Sequence, residues 1–395
     1  MSDTVDGPDG ASVVAASHQR VGWFELFYDL VIVAAVGYAG HTFADNPTWG
    51  LGIWIAAWTL IMFTLWLLTS LNNNLFRGDR PWRRMLGLVQ MLALVIAALG
   101  TVSDEGLSNS TGFVALAVAF GTIAVMYAIA LRDKSSDRRD ERLLAWTSGL
   151  AAVVLLSGGF LSDSAEWTAT GAPTWIIVVG IGIAAVPLFG IVVGRVANRI
   201  DHEHLAERLG QLVIIVLGEA FMSLVSALGG MSSIPNPLFF VLTFLVVFAI
   251  WTLYFSSVLP AGLPSTSGRL RLWVLTHWLL MFGAVASAAG FASVTLVPFG
   301  SGAAAEATEW TTLPLAIVMG SLTLLTWLGS SQFTGLARLH LAATAALVVL
   351  AISALFFSSR GNNWEVVLGS LVVLVDAVVA VRMVRPYREA AVEFG

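Results

Sequence analysis

The sequence predicts an all-α integral membrane protein with about twelve transmembrane helices, built as two six-helix repeats with both termini in the cytoplasm. Three observations predict it. First, 57% of the 395 residues are hydrophobic and 11% are charged, against roughly 25% charged in a soluble domain. So few charges cannot cover a core with a wettable surface. Second, the apolar residues fall in blocks about 20 residues long, enough to cross a hydrocarbon layer of ~30 Å at 1.5 Å per residue. Third, the basic residues between the blocks divide almost completely onto one side of the alternation.

The blocks are bounded by charged or Pro/Gly-rich breaks. The first six run over roughly 22–43, 50–74, 82–102, 112–131, 143–161 and 174–196. The second six run over roughly 206–228, 237–258, 271–297, 312–329, 337–358 and 364–384. No interval is long enough for a separate soluble domain. Trp23, Trp49, Trp82, Trp167, Trp310 and Trp364 stand near block ends, where an indole places its apolar edge in lipid and its N–H among headgroups. Residues 1–20 are polar and acidic, with Asp3, Asp6 and Asp9, and read as a disordered cytoplasmic tail without a cleavable signal.

Charge placement tests the count. The even-numbered connections hold Arg77, Arg80, Arg83 and Arg84, then Arg132, Lys134, Arg138, Arg139 and Arg142, then Arg195, Arg199 and Arg208, then Arg269 and Arg271, then Arg338. The tails add Arg20, Arg382, Arg385 and Arg388. Of the 20 Lys and Arg residues only Arg360 falls on the other side, where Asp45, Asp104, Glu105, Asp163, Glu166, Glu306, Glu309 and Glu365 collect. Short basic loops stay cytoplasmic, and one missed span would scramble the division.

The halves resemble each other. Glu25 and Asp29, followed by Leu30, Val31 and Ile32, align with Glu207 and Gln211, followed by Leu212, Val213 and Ile214. Phe63 and Trp66 align with Phe248 and Trp251. The pattern divides the chain after the tail into residues 21–200 and 201–395. Six helices per repeat make an even number, so the expected symmetry axis lies along the membrane normal.

Charges are costly inside a bilayer, so the intramembrane ionisable residues are the candidates for function. Glu25 and Asp29 lie four residues apart on one face of the first span, beside Tyr28. They fit a proton- or cation-binding carboxylate pair, or a packing ion pair with an Arg such as Arg83 or Arg208. On the seventh span His204, Glu207, Arg208, Gln211 and Glu219 fall within an arc of roughly 120°. Glu219 sits mid-span behind Gly218, a residue that admits a close neighbour; Glu207 and Arg208 fit a structural ion pair as well as a site. His204 and Glu207 have metal-compatible spacing but lack the repeated Glu-x-x-His of di-iron bundles, so no metal or other cofactor is expected. His202 and His204 read as interfacial and His41 as a packing residue. His277 fits packing or a proton relay, and Asp376 either a functional carboxylate or a bond to a neighbouring Ser, Thr or Arg.

Several classes are excluded. There is no cysteine, hence no disulfide, thiolate metal site or cysteine nucleophile. P-loop, H-E-x-x-H and G-x-S-x-G motifs are absent from the sequence, and no span carries an Arg ladder of the voltage-sensor kind.

Two segments carry a family resemblance. Glu25-Leu26-Phe27-Tyr28-Asp29-Leu30-Val31, and the stretch from His204 through Glu207, Arg208 and Gly210 to Gly218 and Glu219, are similar to the marks of the bacterial low temperature requirement A protein family. His41, Trp251 with Tyr254 and Phe255, and His277 extend the resemblance along the chain. Gln211 departs from it where the family more often has an apolar residue. Ser256 departs where an Asp commonly follows the Tyr-Phe pair, which weakens any role for a span-eight carboxylate. The resemblance implies a multi-pass inner-membrane protein associated by name with growth in the cold.

The expected activity is a secondary transporter or permease for an unidentified small molecule or ion, using Asp29, Glu25 and Glu219, with the lipid bilayer as partner and no nucleic acid. The competing readings are a membrane-embedded enzyme acting on a lipid or isoprenoid, with His204, Glu207 and Glu219 as acid/base groups, and a structural or sensory protein.

Overall fold

The computed structural model describes residues 22–45, 48–76, 80–101, 110–132, 138–161, 172–229, 233–298, 305–329, 331–357 and 363–393. The predicted tail 1–20 and the loop residues Arg77, Asp104, Glu105, Lys134, Asp163, Glu166, Trp167 and Arg360 lie outside them.

Among the described residues, twelve helices are long and apolar enough to cross a membrane, as the sequence predicts. They are α1 (Trp23–Asp45), α2 (Trp49–Leu75), α3 (Pro81–Thr101), α4 (Ser110–Ala130) and α5 (Arg139–Leu161). Helix α6 runs from Ala172–Pro187 through a π turn at Leu188–Val192 to Val193–Arg195. Helix α7 is His202–Leu228, and α8 runs from Pro237–Leu253 through a π turn at Tyr254–Val258 to Leu259–Ala261. The last four are α9 (Ser267–Thr295), α10 (Ala305–Leu328), α11 (Thr334–Phe357) and α12 (Trp364–Glu393).

Local chemistry explains several starts. Thr48, Asp201 and Asn236 each accept from the backbone N–H three residues on, at 3.3, 3.1 and 3.4 Å, which satisfies donors that a helix start leaves open. Pro237 occupies the first turn of α8, where its missing N–H costs nothing. Helix α10 begins at Ala305 rather than near 312, because Thr311 and Thr312 return their hydroxyls to Ala307 and Thr308 carbonyls at 2.6 and 2.9 Å. A hydroxyl satisfied within its own helix does not end a span.

Burial grades the bundle. Helices α9, α10 and α2 are the most enclosed, while α11 and α5 are the least. The middle of α9 runs Gly283, Ala284, Val285, Ala286, Ser287, Ala288, Ala289, Gly290, all but Gly283 and Gly290 defined by short side chains. Small residues let backbones approach where lipid supplies no hydrophobic drive between helices. A Cβ on Gly290 would stand 2.5 Å from the Trp310 carbonyl of α10. Helix α9 is tied across to the first half by Trp278, whose indole donates to Ala56 of α2 at 3.2 Å, and by Ser293, which donates to Ala44 of α1 at 3.0 Å. Large apolar side chains such as Trp146, Phe160, Val349 and Phe356 point outward, as a lipid-facing surface requires.

The even-numbered connections meet at one end of the bundle. There Arg83 donates to the Phe76 carbonyl, Arg138 stacks over the Phe76 ring, Asn74 donates to Asp201 O at 3.0 Å, Arg271 reaches Gly190 O and Arg269 reaches Trp327 O at 3.0 Å. This is the basic end; the opposite end is the acidic end. Trp310 departs from the expected aromatic belt. It is buried, with Phe43 and Trp49 ring centres 4.7 and 4.8 Å away and Gly52 beneath it, so it fastens α1, α2 and α10 together.

Candidate functional site

The eight candidate residues divide among four places. The central one lies where α1, α2 and α7 cross near the basic end. Asp29 is fully enclosed, and its Oδ1 accepts from Arg208 Nη2 at 2.7 Å and from Trp66 Nε1 at 2.8 Å. Arg208 also donates to Ser70 Oγ at 3.3 Å, and its guanidinium carbon lies 5.6 Å from the Trp66 ring centre. Of the two arginines suggested by the sequence as partners, Arg208 is the one used; Arg83 turns to the α2 end instead. Beside this pair, Thr69 Oγ1 stands 3.2 Å from the Tyr28 hydroxyl and 3.3 Å from Gln90 Oε1. One turn toward the basic end, Glu25 accepts from Gly22 N at 3.1 Å and lies 3.7 Å from His204 Nε2.

The crossing holds more polarity than its own contacts satisfy. Asp29 Oδ2, Arg208 Nε and Nη1, and Gln90 Nε2 are buried without a hydrogen-bonding partner in the protein. Buried polar groups are normally paired, so these atoms set the crossing apart as a candidate site.

Glu219 and His41 form a second pair near the acidic end, on the same two helices, with Oε1 and Nε2 3.2 Å apart and both side chains partly exposed. The glycine that makes room is Gly37, not Gly218. A Cβ on Gly37 would stand 2.2 Å from Glu219 Oε1, whereas nothing lies within 4 Å of a Cβ on Gly218. Between the two pairs the seam is apolar, with Ile32, Val36, Leu212 and Val216 buried. Asp29 and Glu219 therefore do not touch. A cavity of about 10 Å³, lined by Leu212, Val213, Val216, Leu217 and His277 among others, sits in this stretch and stops short of Glu219.

The remaining candidates lie elsewhere. Gln211 donates to Glu207 at 3.4 Å on the outer side of α7, where Glu207 is exposed, so neither joins the Asp29 crossing. His277 is buried, with Nδ1 2.8 Å from the Trp273 carbonyl and Nε2 3.0 Å from the Tyr254 hydroxyl. A carbonyl only accepts, so Nδ1 carries the proton and the ring is held in one tautomer.

One constellation was not singled out from the sequence. His340 of α11 is enclosed with Nδ1 2.7 Å from Asp376 Oδ2 of α12 and Nε2 3.1 Å from Ser257 Oγ of α8. Asp376 thus bonds a histidine rather than the Ser, Thr or Arg expected. A lone His and a lone Asp in the last two spans were the available signal; the Ser comes from the π turn, which no local pattern predicts. Among the described residues no group of three or more His, Cys, Asp or Glu is placed to hold a metal ion. A lateral groove of about 420 Å³ between α3 and α4 is lined by Val89, Leu92, Ile96, Thr111, Val114 and neighbours, none of them a candidate residue.

Twelve apolar helices enclosing charged crossings define a multi-pass α-helical membrane protein. The model of the bacterial low temperature requirement A protein family matches residues 20–382, and the chain belongs to that family. It is also 26% identical over 245 residues to an uncharacterized protein of Rhizobium meliloti (strain 1021), an alignment covering 58% of this chain and 57% of that protein. The chain thus spans a little over half the length of that relative. No solved structure matches it.

Proposed function

We propose that this chain is a secondary transporter or permease of the bacterial inner membrane, with both termini cytoplasmic and two six-helix repeats. It moves a small molecule or ion with coupling through buried carboxylates. One observation carries the reading: the α1–α7 seam holds an ionisable pair toward each end, Asp29 with Arg208 and Glu219 with His41, and an apolar stretch between them. Ionisable groups set toward opposite faces and parted by a dry barrier are what alternating access needs in a closed state. The order of neighbours supports the repeat, since α3, α4, α5 and α6 pack in succession as α9, α10, α11 and α12 do. The enzyme reading wants an enclosed cavity lined by His204, Glu207 and Glu219. Glu207 is exposed and the lateral groove is lined by other residues, so no observation favours it.

The test is uptake of a panel of labelled amino acids, sugars, nucleosides and inorganic cations into proteoliposomes, with and without an imposed pH gradient. Gradient-dependent uptake by the wild type, lost in Asp29→Asn and Glu219→Gln, is expected. Variants that insert normally and leave that uptake unchanged would remove the basis of the proposal.

A further inference from the structure

A proton site needs a titratable group whose hydrogen-bonding neighbours can serve it in both protonation states. The Asp29 crossing does not meet that condition easily, because the guanidinium of Arg208 is permanently charged and clamps the carboxylate. His277 does not meet it either: its ring touches a carbonyl and a phenol but no carboxylate among the described residues, so protonation would bury an unpaired cation. The third buried cluster does meet it.

We propose that Ser257, His340 and Asp376 form a proton-carrying site, by which the chain takes up and releases one proton in coupling transport. The proposal rests on the transporter reading for its role, not for its chemistry. Nδ1 of His340 faces a carboxylate, so the proton lies on that side of the ring or is shared across 2.7 Å. Nε2 faces a hydroxyl at 3.1 Å. A hydroxyl rotates and both donates and accepts. With a neutral ring Ser257 donates to bare Nε2; with an imidazolium it accepts from Nε2–H. A carbonyl or an ammonium in its place would satisfy only one state.

Net charge couples loading to access. The loaded pair, imidazolium with carboxylate, carries no net charge and suits the sealed setting in which all three side chains are found, each 2% exposed or less. The unloaded pair would leave an uncompensated carboxylate in that setting, which is strongly unfavourable. Release therefore requires solvent or a cation to reach the site, and Asp376 Oδ1, buried without a partner in the protein, is the atom that would receive it. A π turn at Tyr254–Val258 aims Ser257 at the ring; such bulges recur at functional sites.

The surrounding charges leave the dyad to itself. On α8, Tyr254 is engaged with His277. On α10, Glu309 lies toward the acidic end, as does Glu365 of α12, which accepts from Ser353 at 3.3 Å. Arg338 of α11 and Arg382 and Arg385 of α12 are exposed. Three side chains of the Ser-His-Asp type also suggest a nucleophilic serine, but an acyl group has no path to an Oγ that is fully enclosed.

The experiment uses the full chain, 15N-labelled at its six histidines, in lipid nanodiscs, with His340→Gln identifying the signal. As the pH is raised, the His340 ring is expected to pass from its two-proton to its one-proton form in the 15N spectrum. Asp376→Asn should abolish the transition, and Ser257→Ala, which takes a hydrogen bond from Nε2 in both states, should move the Nε2 resonance at either end of it. A ring that stays neutral in one tautomer throughout overturns the proposal and leaves the transporter reading with Asp29 and Glu219. Labelling of Ser257 by a fluorophosphonate also overturns it, in favour of a nucleophile. In proteoliposomes, His340→Gln should lose gradient-driven uptake while inserting normally; uptake that keeps its gradient dependence refutes the coupling role. A clear titration with no uptake by any form, wild type included, sinks the transporter reading but upholds the proton site.

Discussion

Removing Arg208 should cost more than its contacts suggest, and removing Asp29 as well should restore most of the loss. In Arg208→Met the Asp29 carboxylate keeps its Trp66 bond but loses the cation 2.7 Å away, inside a fully enclosed setting. Breaking one side of such a pair costs about 3–5 kcal/mol. Asp29→Leu leaves the guanidinium with Ser70 Oγ at 3.3 Å as its side-chain partner, and the expected loss is again about 3–5 kcal/mol. If the sites were independent, the double variant would lose about 6–10 kcal/mol, yet buried ion pairs replaced whole by apolar side chains are often neutral or better. The double variant should therefore stand within about 2 kcal/mol of wild type. Unfolding by sodium dodecyl sulfate from mixed micelles, followed by the emission of the 15 tryptophans, measures all four corners of the cycle. Additive losses would refute the assignment of Asp29 and Arg208 as partners.

Trp66→Phe keeps the ring under Arg208 but deletes the indole donor to Asp29; about 1.5–3 kcal/mol should be lost in the same unfolding assay. Gly37→Ala should displace the Glu219 carboxylate, because the new methyl would stand 2.2 Å from Oε1; gradient-dependent uptake should fall, and the added Glu219→Gln should bring no further loss. Gly290→Leu should prevent α9 from seating on α10, given 2.5 Å between its Cβ and the Trp310 carbonyl, and should be seen as loss of monodisperse protein on size exclusion. Since the chain has no cysteine, Ser265→Cys between α8 and α9 and Ser233→Cys between α7 and α8, both exposed, give clean labelling sites. Ser265→Cys should react with an impermeant maleimide only from the cytoplasmic side and Ser233→Cys only from outside.

Helix number was legible because a bilayer imposes one length on every span and because short loops sort by charge. Helix ends were less so. The charged flank of α10 concealed turns whose threonines bond their own backbone, and the same holds for the first turns of α7, where Asp201 caps His204. In the site, Asp29 and Arg208 stood out because each is a charge in an apolar run, yet their pairing spans both halves and no local pattern fixes it. Trp66 read as a repeat marker, while its role as a donor depends on how α2 crosses α1. Glu207 and Gln211 share an arc with Arg208, but an arc has two edges, and these residues took the outer one. Ser257 was illegible because a π turn breaks the 3.6-residue register from which faces are assigned.

The Asp29 pairing also has a history during synthesis. Asp29 and Arg208 are 179 residues apart, so at about 5–20 residues per second the ribosome delivers the cation roughly 9–36 seconds after the carboxylate. Trp66 follows after only 37 residues, so the indole donor to that carboxylate is made well before the guanidinium. Of the two bonds that hold Asp29, one can form within the first two helices and the other must await the second half of the chain.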